Sequence, residues 1–87
     1  MIKSPAFVAH VQKVLEGNAE KCVARVSVRV GEVQVGQSLS FESVDRRKIK
    51  LRVAQARPLR SSLELELEGN GCECLESGTY LLGDIVS

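Results

Sequence analysis

A run of basic residues in the middle of this 87-residue chain is its most prominent candidate for chemistry. Residues 46–60 contain seven Lys and Arg side chains and no acidic one, whereas residues 61–87 contain six acidic side chains and no basic one. Basic side chains in this density bind phosphate backbones, with an affinity that falls as salt is added. The block therefore predicts either an RNA- or DNA-binding face or a solvated face neutralised by the acidic block.

Within this run, four arginines are the candidates for contact with nucleic acid or a protein partner: Arg46, Arg47, Arg57 and Arg60. We expect the other cations of the run to pair with glutamates across two strands. The chain has only three aromatic residues, Phe7, Phe41 and Tyr80, so it offers no platform on which bases could stack. A solvated, cross-paired face is accordingly the stronger interpretation, with nucleic-acid binding as the alternative.

Three cysteines and one histidine, Cys22, Cys72, Cys74 and His10, are residue types that bind zinc. Structural zinc sites usually combine two pairs with C-x2-4-C spacing, and here a second pair is missing. We expect buried or unreactive thiols, with no metal and no cofactor. A single histidine and the lack of a nucleophile motif also argue against an enzyme.

An odd number of cysteines does not suit a secreted disulfide framework, and the N-terminus has no uninterrupted apolar signal segment. No apolar run approaches the roughly 20 residues that span a bilayer. The sequence therefore predicts a cytoplasmic protein without membrane contact. Its length suits one domain over residues 1–87, and its aliphatic, valine-rich core residues favour β-strands.

Alternating apolar residues place these candidates on strands. From Cys22 to Phe41 the apolar positions are even up to Val30 and odd afterwards, and the parity changes at Gly31, which predicts a corner or bulge there. Residues 48–53 and 63–68 alternate most regularly, with charges on one face. In an antiparallel hairpin whose paired residue numbers sum to about 116, cations lie opposite glutamates and apolar residues lie opposite apolar residues. Its expected pairs are Arg52 with Glu64, Lys50 with Glu66, Lys48 with Glu68, Val53 with Leu63, Leu51 with Leu65 and Ile49 with Leu67.

The first segment, residues 5–15, supports two interpretations. Ser4 as N-cap, Pro5 at the first helical position, Gly17 as a stop and a helical apolar spacing favour a helix on local signals. Phe7, Ala9 and Val11 also alternate as they would in a strand. Local signals alone slightly favour the helix.

The order of features resembles the β-barrel second domain of translation elongation factors such as elongation factor Tu. Val28, Gly31, Val33 and Gly36 match the glycine-punctuated segment of that family, and Gly78 with Leu81 matches its closing segment. The resemblance implies an all-β, small, six-stranded closed antiparallel barrel in which the first segment is a strand. In that family the barrel can contact the acceptor end of transfer RNA. A phosphate-binding Gly-x4-Gly-Lys-Ser/Thr motif does not occur, so the chain would be the barrel without the GTPase domain.

We therefore expect a non-catalytic binding or accessory module whose partner is most readily a protein. RNA or DNA at residues 46–60 is the first alternative. A small-ligand barrel is the second, although side chains fill the interior of barrels with eight strands or fewer. An apolar residue on the outer face, such as Val8, Val14 or Val23, would also favour a homodimer.

Overall fold

The computed structural model describes residues 7–83, which form a closed barrel of six antiparallel strands. The strands are β1 (Phe7–Gly17), β2 (Lys21–Gly31), β3 (Ser38–Glu42), β4 (Lys48–Pro58), β5 (Leu63–Glu68) and β6 (Tyr80–Gly83). Around the barrel the order is β1, β2, β5, β4, β3, β6 and back to β1. A single 3-10 turn, Cys72–Cys74, lies between β5 and β6. The predicted fold class is confirmed.

The barrel interior is filled by aliphatic side chains from all six strands and the 3-10 turn. The inward positions predicted on β4 and β5 are buried, except that Leu63 is only partly buried and packs against the core. The fully or nearly fully buried residues include Phe7, Ala9, Val11, Cys22, Ala24, Val26, Leu39, Phe41, Leu51, Val53, Leu65, Leu67, Cys72 and Leu81. A core with two phenylalanines and many Val and Leu side chains agrees with the composition.

The first segment is a strand, so the helix favoured by local signals is wrong and the strand implied by the resemblance is confirmed. The proposed cap residues Ser4 and Pro5 lie outside the described residues. The β1–β2 pairing contains three register shifts, between Val8 and Ala9, between Val11 and Lys13, and between Val14 and Glu16. The second and third of these each place an extra residue on β1, so its inward face shifts and the strand acquires an apolar spacing that imitates a helix. Burial against two neighbouring strands outweighs the capping signals.

Two tight connections rest on glycines, as expected. In the β1–β2 hairpin, the side-chain oxygen Oδ1 of Asn18 accepts hydrogen bonds from the backbone N–H groups of Glu20 (2.8 Å) and Lys21 (2.9 Å). Gly71 follows β5 with a φ of 103°, and a Cβ atom there would lie 2.8 Å from Cγ2 of Ile49. Only glycine adopts this conformation and leaves that space for the core.

The end of β2 differs from the expectation that its even positions all face inward. Val28 and Val30 are 41% and 51% exposed. β2 extends beyond β5, whose first residue, Leu63, pairs with Val26, so β5 does not cover Val28. A register shift in the pairing with β1 passes over Arg29, so Val30 lies opposite Val8 on the outer face. The predicted corner at Gly31 is present, with a φ of 76°, but residues 32–37 form a loop and the next strand begins only at Ser38.

The predicted register between β4 and β5 is wrong. Arg52 pairs with Glu68, Gln55 with Glu66 and Arg57 with Glu64. The hairpin is closed by residues 59–62, where the N–H of Leu59 donates to the carbonyl of Ser62, so the turn centre lies beyond Pro58. A register shift between Val53 and Gln55 then accommodates one extra residue on β4. Lys48 faces Glu42 of β3 instead of β5.

Double-mutant cycles on the outer face of this hairpin should distinguish the two registers. For Arg57→Ala with Glu64→Ala we expect a coupling of about 0.2–1 kcal/mol in the free energy of unfolding, because the side chains form a cross-strand ion pair. For Arg52→Ala with Glu64→Ala the effects should be additive, because these residues are not opposite each other. Urea unfolding of the variants measures both values. Coupling in the second cycle and additivity in the first would contradict the observed register.

Candidate functional site

The outer face of β2, β5 and β4 carries the charges singled out in the sequence. Pairing across the three strands aligns them in three rows: Lys21, Glu68 and Arg52; Val23, Glu66 and Gln55; Arg25, Glu64 and Arg57. In two of the rows a glutamate lies between two cations. β5 thus places a glutamate opposite two cations of the basic block, Arg52 and Arg57, and the same two glutamates also face cations of β2.

Direct contacts support this charge pairing. Nε of Arg52 lies 2.9 Å from Oε1 of Glu68, and Nη2 of Arg52 donates to the same oxygen. Hydrogen bonds and charge from Arg52, with a further contribution from Lys21, lower the pKa of Glu68 below its ordinary value. Nη1 of Arg57 lies 2.9 Å from Oε2 of Glu64. Since the pairs are partly solvated, they align the strands more than they stabilise them.

The four candidate arginines do not form one cluster. Arg46 and Arg47 lie before β4, whereas Arg57 lies near its end and Arg60 in the following loop. Ten residues of strand span roughly 30 Å, so the two pairs are at opposite ends of the barrel. Arg57 was expected outside the charge ladder, but it faces Glu64 within it.

Arg47 is held in the β3–β4 turn by local contacts. Its Nε lies 2.8 Å from Oδ2 of Asp45, and its Nη2 lies 3.5 Å from Sγ of Cys74. The hydroxyl of Ser43 donates to Asp45 and accepts a hydrogen bond from the backbone N–H of Arg47. The Ser43 hydrogen bond, followed by the charge of Arg47, lowers the pKa of Asp45. Arg47 therefore belongs to a turn network and is less available for a ligand than the exposed Arg46 and Arg60.

The zinc-type residues are not brought together. The thiols of Cys22 and Cys72 are both buried in the core, and Cys72 donates to the carbonyl of Leu67 over 3.8 Å. Cys74 is partly buried beside Arg47, and His10 lies on the outer face against Tyr80. Among residues 7–83 no group of three or more His, Cys, Asp or Glu side chains is placed to hold a metal ion.

Burial makes the two inner thiols poor nucleophiles. Burial first, and then the hydrogen bond to Cys72, raises the pKa of Cys22 from its ordinary 9.0 to about 12. Burial likewise raises the pKa of Cys72. Because the thiolate is the form that attacks electrophiles and binds metals, both residues act as small apolar core side chains at neutral pH.

An apolar patch covers the outer face of β2, β1 and β6, and we define it as Val8, His10, Val30, Tyr80 and Leu82. Val8 lies between Val30 on one neighbouring strand and Leu82 on the other, so the three side chains form a continuous row. Val30, Leu82 and Tyr80 are 51%, 40% and 52% exposed. The rings of His10 and Tyr80 meet edge to face with centroids 5.0 Å apart. This pair forms a second row of the patch beside the first.

Sequence reasoning found only part of this patch. Of the three valines considered for the outer face, Val8 belongs to it, whereas Val14 packs against the core and Val23 lies half-buried in the row with Glu66. Tyr80 and Leu82 were not among the residues considered for a surface site. The alternation of exposed Tyr80, buried Leu81 and exposed Leu82 was the available signal.

A groove of about 520 Å³ lies open to solvent between the β1–β2 hairpin and β4. Its charged lining combines Lys21, Lys50 and Arg52 with Glu20 and Glu68. The cations face carboxylates of the protein itself, and the barrel interior is filled by side chains. This arrangement gives no support to the small-ligand alternative.

Comparisons with known proteins place the chain in no group: no family model matches it, and neither does any curated protein or any solved structure. Over the part of the chain that the structure describes, no helix is long and apolar enough to cross a membrane.

Proposed function

We propose that this protein is a non-catalytic interaction module that binds another protein through the apolar patch. The main support for this proposal is the row formed by Val30, Val8 and Leu82. These residues are opposite one another on three adjacent strands and remain in contact with water. Single exposed apolar residues are ordinary on protein surfaces, but contiguous ones mark binding sites.

The chemistry of the patch suits a protein partner. Burial of apolar surface contributes about 25 cal/mol per Å², and tyrosine is enriched at the centres of protein interfaces. Tyr80 is half exposed and its ring is already oriented by His10, so little side-chain freedom remains to be lost on binding. β1 is hydrogen-bonded on both sides over this region, which makes the patch a rigid platform.

We also retain, as a proposal, the relation to the second domains of elongation factors. The closed barrel of six strands and the strand at Phe7–Gly17 support it. Nucleic-acid binding ranks lower, because the candidate arginines lie at both ends of β4 and, between them, Arg52 is paired with Glu68 of β5.

Capture experiments with nuclease-treated extract test the proposal. The variants Val30→Glu and Leu82→Glu place a charge in the patch, and we expect each to reduce captured partner at least tenfold. Val44→Glu is the matched control, because Val44 is 82% exposed in the β3–β4 turn, away from the patch. Thermal melts followed by circular dichroism verify that all three variants fold.

Equal capture by wild type and both patch variants would contradict this proposal. Capture that disappears with nuclease and with Arg46→Glu plus Arg60→Glu would instead favour nucleic acid. Light scattering over a hundredfold dilution shows whether the partner is a second copy: a dimer that dissociates in the Leu82→Glu variant would place the self-association at the patch.

A further inference from the structure

Within residues 7–83, the end of β2 has a backbone edge that no other strand pairs with. Its last pair with β5 is Val26 with Leu63, whereas its pairing with β1 continues to Gly31. In an antiparallel strand alternate N–H and C=O groups point to opposite sides, so part of the backbone of residues 27–31 points away from β1. Among residues 7–83, no loop makes a backbone hydrogen bond to this segment.

The side chains along this edge are apolar and positively charged. Val28 is 41% exposed beside the gap left by β5. Arg29 is exposed in the middle of the segment, and Arg60 is exposed in the loop that precedes β5. Within the described part of the chain neither arginine forms an ion pair. The edge thus combines unpaired backbone groups, an exposed valine and two cations without partners in residues 7–83.

We propose that the β2 edge, residues 27–31, binds an extended acidic segment of a partner protein by strand addition. The backbone of the segment pairs with the edge, an apolar side chain packs on Val28, and its carboxylates pair with Arg29 and Arg60. This inference rests on the proposed function and identifies the kind of partner, since Val30 belongs to both the edge and the apolar patch.

Charge selects among possible occupants of the edge. Like charges opposite each other destabilise a strand pair, so an antiparallel pairing of two copies of this edge, centred on the segment, brings Arg29 against Arg29. An edge cation is also a common device against unspecific edge-to-edge pairing. An acidic strand is not repelled by Arg29, because its carboxylates attract the edge cation. Nucleic acid has no peptide backbone to add to a sheet.

A fluorescein-labelled seven-residue peptide of alternating Glu and Val is the probe. We expect saturable binding by fluorescence polarisation, with amide shifts in ¹H–¹⁵N spectra confined to residues 27–31 and their β1 neighbours. The same peptide with N-methyl groups on alternate residues loses the backbone donors and should bind at least tenfold more weakly. A peptide of alternating Lys and Val should not bind.

Arg29→Glu should weaken binding of the acidic peptide at least tenfold and create binding of the basic one. Arg46→Glu has the same charge change in the distant β3–β4 turn and should leave both unaffected. The proposal is overturned by absence of acidic-peptide binding at millimolar concentration, by equal binding of the N-methylated peptide, or by equal effects of Arg29→Glu and Arg46→Glu.

Leu82→Glu separates this inference from the proposed function, because Leu82 lies in the patch but not at the β2 edge. If Leu82→Glu abolishes partner capture while the peptide fails to bind wild type, the edge inference alone is wrong. If the peptide binds at residues 27–31 but Leu82→Glu leaves capture intact, the edge inference stands and the patch is wrong.

Discussion

Replacement of Leu65 by Ala is expected to lower the free energy of unfolding by about 2–5 kcal/mol. Leu65 is fully buried in the middle of β5, between Ala24 on β2 and Ala56 on β4. Because both paired neighbours are small, they cannot move into the space that the leucine leaves. The cavity should persist, and the loss should lie in the upper half of that range.

Urea unfolding followed by circular dichroism measures this loss of stability, and two variants serve as controls. Leu63→Ala, on the same strand but only partly buried, should cost less than half as much. Leu65→Ile keeps the volume and should cost less than about 1.5 kcal/mol. A chain of this size has roughly 5–10 kcal/mol of stability, so Leu65→Ala should also lower the thermal midpoint markedly. Equal losses at Leu63 and Leu65 would contradict the central position of Leu65.

Alternation along the chain was sufficient to predict the faces of β4 and β5. Leu51, Val53, Leu65 and Leu67 are all buried as expected, since a two-residue period assigns each side chain to one face of a strand. The closed barrel of six strands was expected from the resemblance to the second domains of elongation factors. For β1 the pattern was ambiguous, because two of the irregularities in its pairing with β2 place an extra residue on β1 and disturb the period.

The same alternation could not determine register. Sliding β4 along β5 by any even number of residues keeps charged residues on one face and apolar residues on the other. Alternation alone therefore does not distinguish the pairing of Arg52 with Glu64 from its pairing with Glu68, four residues further along β5. The tight turn at residues 59–62 and the extra residue near Ala54 decide between them. Neither has a distinctive sequence signal: Pro58 looks like the turn centre but ends the strand.

The candidate binding surfaces depend on the order and pairing of the strands, which the sequence does not display. The sequence shows where basic residues are, but not that β5 lies between β2 and β4 and places glutamates opposite cations of both. Val28 and Val30 look like core residues because they continue the alternation of Val26. The exposure of Val28 follows from the relative lengths of β2 and β5, and that of Val30 from the register shift at Arg29. Both become apparent only when the strands are paired.

Alkaline pH is expected to destabilise the protein through Cys22. Burial and the hydrogen bond to Cys72 raise the pKa of Cys22 to about 12 in the fold, against an ordinary value of 9.0. Between these values the folded protein retains a proton that the unfolded chain releases, so stability falls as pH rises. The stabilisation is complete below pH 9 and is lost towards pH 12. Each pH unit in this window corresponds to about 1.4 kcal/mol.

The matched comparison is wild type against Cys22→Ala, in urea and under reducing conditions at pH 8, 9, 10 and 11. Groups distant from Cys22 titrate alike in both proteins, so the stability difference between them reports the Cys22 thiol together with its effect on Cys72. Wild type should be the more stable at pH 8, and its advantage should shrink by about 2 kcal/mol between pH 9 and pH 11. Cys74→Ala, which removes a partly buried thiol, should preserve the wild-type slope. If the stability advantage of wild type stays constant from pH 8 to pH 11, the Cys22 thiol ionises as readily in the fold as in the unfolded chain. That result would contradict the burial of Cys22 against Cys72.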